Sequence, residues 1–385
     1  MNFSNRFPLQ IQSNKITLVL NEILARGEKI ISLAVSNPTD VGFTYDIEAI
    51  SHALSNPGGA YYRPQPLGME EARCAISEEM EGLYKPEDLV LTASTSEAYS
   101  HLFKLLCSPG DQVLVPQPSY PLFEHLTRLE GIESVPYSLC YANGWQISLT
   151  HLESLINPKV KAILLVNPNN PTGQGISMEE LQALGEMCQD KVAIIGDEVF
   201  FEYPFFPGLL KTRVAHLQSD CLVFGLGGLS KWIGMPQMKL AWIGISGPEE
   251  QKEKAKKYLE CIADMYLSVS TPIQLATPGL LKAGRKIRSQ IQERVCSNRI
   301  FLQDLIQKHF PECTCLDAEG GWYAVVQVPA IQREEDIALK ALREKKVFVH
   351  PGYFFDFPHE AYFVISLLMQ RSILEEGTVS LLGCL

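Results

Sequence analysis

Between residues 88 and 246 the chain alternates short, nearly unbroken apolar runs with segments of helical periodicity. No other feature restricts the fold as much. The runs are DLVLTAS (88–94), DQVLVPQP (111–118), VKAILLVNP (160–168), KVAIIGDEV (191–199), CLVFGLG (221–227) and KLAWIGIS (239–246). Between several of them lie TSEAYSHLFKLLC (95–107), PLFEHLTRLEG (121–131) and SMEELQALGEMCQ (177–189). Ser177 and Glu180 stand in capping-box spacing and mark the start of the third helix. A strand that is apolar on both sides must be covered on both sides. The alternation therefore predicts an α/β fold, a mostly parallel central sheet with helices on both faces.

After Pro248 the pattern changes. Long helical stretches, about 248–267 and 272–310, lead into a smaller α+β segment. That segment comprises GGWYAVVQVP (320–329), a helix at about 333–345, then KVFVHPGYFF and AYFVISLL. A chain of 385 residues exceeds one small core. The expected division is a large domain over 46–270 and a small domain formed by 1–45 with 271–385.

Charge and cysteine usage exclude several functions. Acidic residues outnumber basic ones by 44 to 33, a net charge of −11. The most basic stretch, QKEKAKKYLE (251–260), interleaves glutamates as a solvated helix face does, so no nucleic-acid partner is expected. The start, MNFSNRFPLQIQSNK, is polar and broken by Pro8, and no run approaches the roughly 18 apolar residues of a membrane helix. The ten cysteines are scattered, and the Cys313/Cys315 pair lacks a second pair or a nearby histidine, so no metal site is expected. A cytoplasmic protein with reduced thiols and no membrane partner is the expectation.

Three features occur in order at strand ends. VNPNNPTGQ (166–174) leaves one strand, Asp197 ends the next, and Lys231 follows a third. Each has an ordinary structural role on its own, as a turn, a capping carboxylate and a snorkelling lysine. Lys231, however, is the only charged residue between Cys221 and Met238. Burial disfavours its ammonium form, and a neutral amine is what imine formation requires. In open α/β sheets, ligands bind outside the carboxyl ends of strands. Asparagine, aspartate and lysine at successive strand ends thus indicate one site for amine chemistry.

N-P-T-G (170–173), then D-E-V (197–199), then S-K (230–231) in a glycine-rich stretch resembles the class I/II aminotransferases. These are pyridoxal-phosphate (PLP) enzymes of fold type I. The likeness runs from the segment around Asn37 to PGYFFDF (351–357). The resemblance implies that Lys231 holds the cofactor as an internal imine and then shuttles the substrate proton. It implies that Asp197 pairs with the pyridinium nitrogen, that Asn170 donates to the phenolate oxygen and that Tyr120 stacks on the ring. Ser94, Thr95 and Ser96 would bind the phosphate at a helix start, joined by Ser230 and Lys239. Tyr62 would reach the neighbouring subunit's phosphate, which implies a homodimer with shared active sites.

Four positions depart from the family. Lys239 replaces a phosphate-binding arginine and loses its bidentate fork. Gly228 replaces a phosphate-binding serine, and Phe200 replaces a tyrosine that donates to the phenolate oxygen. Val364, in YFVISLL (362–368), stands where an arginine clamps the substrate carboxylate. Arg371 lies past that strand and is expected to face solvent. Arg63, Asn37 and His350 are the candidates to replace the clamp. The implied activity is transfer of an amino group from an amino donor to a keto acid or aldehyde. The same lysine, aspartate and asparagine would serve a β-eliminating C–S lyase, which would release pyruvate and ammonia without a keto acceptor. A PLP-binding regulator would carry a DNA-binding domain ahead of this fold; with about 45 residues before the large domain, none is expected.

Overall fold

The computed structural model describes residues 4, 6, 14–142, 144–189, 191–267 and 269–385, so Pro8 lies outside the described residues. Its centre is an eight-stranded sheet. The strands are β1 (Leu89–Thr92), β2 (Gln112–Gln117), β3 (Glu133–Tyr141), β4 (Trp145–Ile147), β5 (Val160–Val166), β6 (Ala193–Asp197), β7 (Val223–Gly228) and β8 (Ala241–Ser246). Their spatial order is β1-β8-β7-β6-β5-β2-β3-β4. The pairings of β2 with β3 and β5, of β5 with β6 and of β6 with β7 are parallel. β8 runs antiparallel to both neighbours, and β4 returns antiparallel on β3. The sheet is thus mixed around a parallel centre, and every residue of β1 and β7 is buried.

Helices fill both sides. Ser177 caps Met178–Cys188 with the full capping box, its hydroxyl on the Glu180 amide and the Glu180 carboxylate on its own. Two apolar clusters lie on opposite faces: Leu114, Ile163 and Ile194 point one way, and Val113, Leu164 and Ile195 the other. That is the alternation a doubly covered strand requires. The glycines of GLGG (225–228) belong to β7 rather than to a phosphate-binding loop. Gly225 pairs with Gly244, and the Tyr84 ring crosses both. A Cβ at Gly225 would lie 2.1 Å from the Tyr84 hydroxyl, so only glycine fits.

β3 and β4 are absent from the strands predicted above. In β3 polar residues and Pro136 break the apolar run, because β3 is half-exposed. Pro136 faces β2 where the other edge has no strand partner, the place where a missing N–H costs least.

The helix Thr271–His309 runs for 39 residues, about 58 Å at 1.5 Å per residue. Beyond it a four-stranded antiparallel sheet has the order β9-β10-β12-β11: β9 (Thr314–Cys315), β10 (Tyr323–Gln327), β11 (His350–Pro351) and β12 (Tyr362–Ser366). Ile31–Ser32 pairs in parallel with Val347–Phe348, tying the N-terminal stretch to this part of the chain. The helix expected at 333–345 is α-helical over Glu334–Lys340 and continues as a π-turn over Ala341–Lys345. Among the described residues no helix is long and apolar enough to cross a membrane.

Candidate active site

A cavity of about 490 Å³ opens where the carboxyl ends of β1, β5, β6 and β7 meet the antiparallel sheet. Nine of the ten site residues predicted from sequence line it: Ser94, Thr95, Ser96, Tyr120, Asn170, Asp197, Ser230, Lys231 and Lys239. The tenth, Tyr62, is 74 % exposed and lies outside it.

Lys231 sits on the short helix Leu229–Trp232, directly after β7. Tyr203, itself fully buried, donates its hydroxyl to the Lys231 carbonyl at 2.5 Å and fixes the backbone. The Lys231 ammonium lies 5.0 Å from the centre of the Trp322 ring and 5.9 Å from that of Phe200. Burial among these rings depresses its pKa to about 8, against the opposing pull of the Asp197 charge.

Asp197 ends β6 and is held at both oxygens. Tyr99 donates its hydroxyl to one at 3.0 Å, and the Val199 amide donates to the other at 3.2 Å. Burial raises the carboxyl to about 6, with those two donors and Lys231 opposing the rise and the Glu198 charge adding to it. Glu198 is fastened independently. It accepts from the Val214 amide at 2.8 Å, the Asn167 side chain at 3.2 Å and Arg213 at 3.3 Å. Arg213 in turn pairs with Glu202 at 2.6 Å and stacks 3.8 Å over Phe201. The strand end carrying Asp197 is thereby rigid.

At the opposite end, Ser94 caps the helix Thr95–Leu106 by accepting from the Glu97 amide at 3.1 Å. The remaining first-turn N–H groups have no intrahelical acceptor, which suits an anion. Lys239 reaches the same end because β8 is antiparallel to β7, and Gly228 pairs with Ala241. Gly228 also has a steric reason. A Cβ there would stand 3.0 Å from the Ala241 Cβ and 3.3 Å from the Leu240 carbonyl oxygen. Asn170 presents a buried side-chain oxygen that has no partner among the described residues.

An amine able to lose its proton, a carboxylate, the side-chain amide of Asn170 and an anion-binding helix start therefore share one cavity. This donor set fits PLP. Phe200 lines the cavity beside Lys231, so no hydroxyl stands there. Val364 is buried on β12 between Val325 and His350 and is not part of the lining. Of the candidates to replace the clamp, only His350 faces the cavity. Asn37 spends its side chain on the turn Pro38–Asp40, accepting from the Thr39 amide and donating to Asp40. Arg63 is exposed, 5.7 Å from the Tyr61 ring, and Arg371 is exposed as expected. Tyr99 and Tyr203 were not predicted. Tyr99 had a signal, since it lies on the Ser94-capped helix one turn in, while Tyr203 had none.

The sequence pattern of the family described as "Aminotransferase class I and II" matches residues 28–377. A glutamate-pyruvate aminotransferase (AlaA) from Haemophilus influenzae is 30% identical over 369 residues, covering 92% of this chain and 90% of that protein. The crystal structure of an aminotransferase from Escherichia coli superposes with a TM-score of 0.87 at 25% identity, covering 100% of this chain and 98% of that one. An alanine aminotransferase from Pyrococcus furiosus gives a TM-score of 0.88 at 24% identity, with 99% of each chain covered, a likeness of fold. With its fold, its cavity and nearly its whole length accounted for, this chain belongs to the class I and II aminotransferases, PLP-dependent enzymes that move an amino group from a donor to an acceptor.

Proposed function

We propose that Lys231 carries the cofactor and acts as the proton carrier of the transfer, with the other cavity residues holding and polarising the bound ring. When bound, PLP supplies an electron sink that stabilises negative charge at the substrate carbon. Asp197, kept in place by Tyr99 and Val199, would pair with the ring nitrogen and keep that nitrogen protonated. Asn170 would hold the ring oxygen, and Tyr120 would cover the ring face. Ser94, Thr95, Ser96, Ser230 and Lys239 would hold the phosphate. With its amine poised near neutral pH, Lys231 would be the group that takes up the proton leaving the substrate carbon and gives it back to complete the transfer. The acceptor, a keto acid or aldehyde, is processed by the reverse path. The single observation that carries this reading is the convergence of the lysine, aspartate and asparagine on one cavity with an anion site. No contact in the cavity favours β-elimination.

The finer organisation follows as inference. Tyr61, Tyr62, Met265, Tyr266 and Leu267 are each more than half exposed, and the turn Pro57–Ala60 packs on the start of the long helix nearby. An apolar patch of this kind supports a homodimer in which Tyr62 serves the partner's phosphate site. The separate sheets, one within 89–246 and one within 314–366, support a large domain over 46–270 and a small domain from 1–45 and 271–385. Ten unpaired cysteines suit a reducing compartment such as the cytoplasm.

Borohydride reduction of the holoenzyme, followed by peptide mass analysis, tests the central assignment. A pyridoxyl group on Lys231 is expected, and its appearance on another lysine would refute the assignment. Light scattering after size exclusion tests the dimer.

A further inference from the structure

The wall that the N-terminal segment and the antiparallel sheet add to the cavity carries no positive charge. It comes from Ala34, Ser36, Tyr323, His350 and Phe355. Among the described residues the only lysines on the lining are Lys231 and Lys239, both assigned above to the cofactor, and no arginine lines it. His350 stands among aromatic rings, with centroids at 5.3 Å (Phe348), 5.4 Å (Phe354) and 5.9 Å (Phe355). Burial there depresses its pKa to about 4, so its imidazole is neutral in ordinary buffers.

Strand register shows where a charge would have to come from. Val364 pairs with Val325 on one side and His350 on the other, and Ser366 pairs with Tyr323. Directly paired residues share a face, so Val364 points the same way as the cavity residues Tyr323 and His350. A long cation at this position would reach the wall, but valine ends short, in an apolar cluster with Leu316, Val325 and Phe355. Nor do nearby arginines supply the charge. Arg294 is bonded to the carbonyls of Val41 at 2.7 Å and Leu368 at 3.2 Å, and Arg371 is exposed near Phe301. An ionised carboxylate brought against this wall would lose water without gaining a partner cation, which is strongly unfavourable.

We propose that this site takes an amino donor whose nitrogen-bearing carbon carries no carboxylate, a primary amine of aryl or hydroxyl-bearing type, with the corresponding aldehyde or ketone as product. Ser36 and Tyr323 supply neutral hydrogen-bonding hydroxyls, and Phe355 and His350 supply the apolar contact. The inference rests on the reading of Lys231 as the cofactor-bearing residue.

The test compares two unreactive ligands of one shape, phenylpropionate and phenylpropanol, titrated into the holoenzyme and followed by the cofactor absorbance. The alcohol should bind as tightly as the carboxylate or more tightly. Val364→Arg should then favour the carboxylate by about tenfold or more, the effect of one added charge-assisted contact. His350→Arg, on the cavity wall itself, makes the same comparison if the buried substitution does not fold. Wild-type enzyme binding the carboxylate about tenfold more tightly than the alcohol would overturn the proposal. Loss of that preference in Arg63→Ala would name the partner subunit as the source of the clamp, and would overturn it equally. A panel of amines and amino acids keeps the two readings apart. If neither class converts the cofactor spectrum to its amine form, the transfer reading fails, while the ligand order still decides the charge of the site.

Discussion

In the cofactor-free protein, Lys231 should be the most nucleophilic lysine at neutral pH. Its pKa is about 8 against 10.5 for an ordinary lysine. At pH 7 that difference raises the fraction of neutral amine by roughly 300-fold. The cause is burial among Phe200 and Trp322, which Asp197 offsets only in part. The same shift makes a stability statement. Between pH 8 and 10.5 the unfolded chain holds a proton on this lysine that the folded chain has lost. Stability of the cofactor-free protein should therefore rise with pH across that window, by roughly 3 kcal/mol in total from this group. Trace labelling with acetic anhydride from pH 6 to 11, quantified peptide by peptide, reads the titration directly. An inflection near 8 is expected at Lys231. An inflection near 10.5 would refute the reasoning, because the burial invoked to prepare the amine would then have no effect. Lys231→Met should abolish the stability gain over the same range, as measured by urea midpoints.

Asp197→Asn should stabilise the cofactor-free protein above pH 6 by up to roughly 3 kcal/mol, because a carboxyl raised from 3.8 to about 6 costs stability once it ionises. The same variant should bind PLP more weakly; urea midpoints at pH 5 and 8, with an absorbance titration, check both. Arg213→Met strands the buried Glu198 carboxylate and should cost about 3–5 kcal/mol in urea denaturation, with partial recovery on adding Glu198→Gln. Phe200→Tyr places a hydroxyl beside Lys231 and should lower the midpoint of the cofactor's visible-band pH titration by about 1–2 units.

Much of the site was legible because catalysis here uses strand ends. Apolar runs located β1, β5, β6 and β7, and the polar residues directly after them proved to line the cavity. What stayed hidden has physical causes. β3 is half-exposed and interrupted by Pro136, so it lacks the apolar continuity that betrays a doubly covered strand. Tyr203 acts through a backbone carbonyl across the fold, a contact that leaves no local pattern. The run CLVFGLG was legible as a strand, but the reason for its glycines was not: the Tyr84 ring crosses Gly225 and Gly244. The replacement of Val364 was visible, but its meaning required the register that puts it beside His350.

The helix Thr271–His309 lies behind the cavity and braces the chain on both sides of it. Gly284 lies so close to Ile233, two residues past Lys231, that a Cβ there would stand 2.4 Å from the isoleucine. Further along the same helix, Asn298 donates to the carbonyls of Leu367 at 2.8 Å and Met369 at 2.7 Å, just beyond β12. The stretch between those two contacts is a ruler roughly 21 Å long. It joins the turn after Lys231 to the chain just beyond β12, so the spacing of those two supports is fixed by one continuous helix rather than by surface loops. Loop exchange around the cavity should alter which groups are recognised while leaving the span itself unchanged.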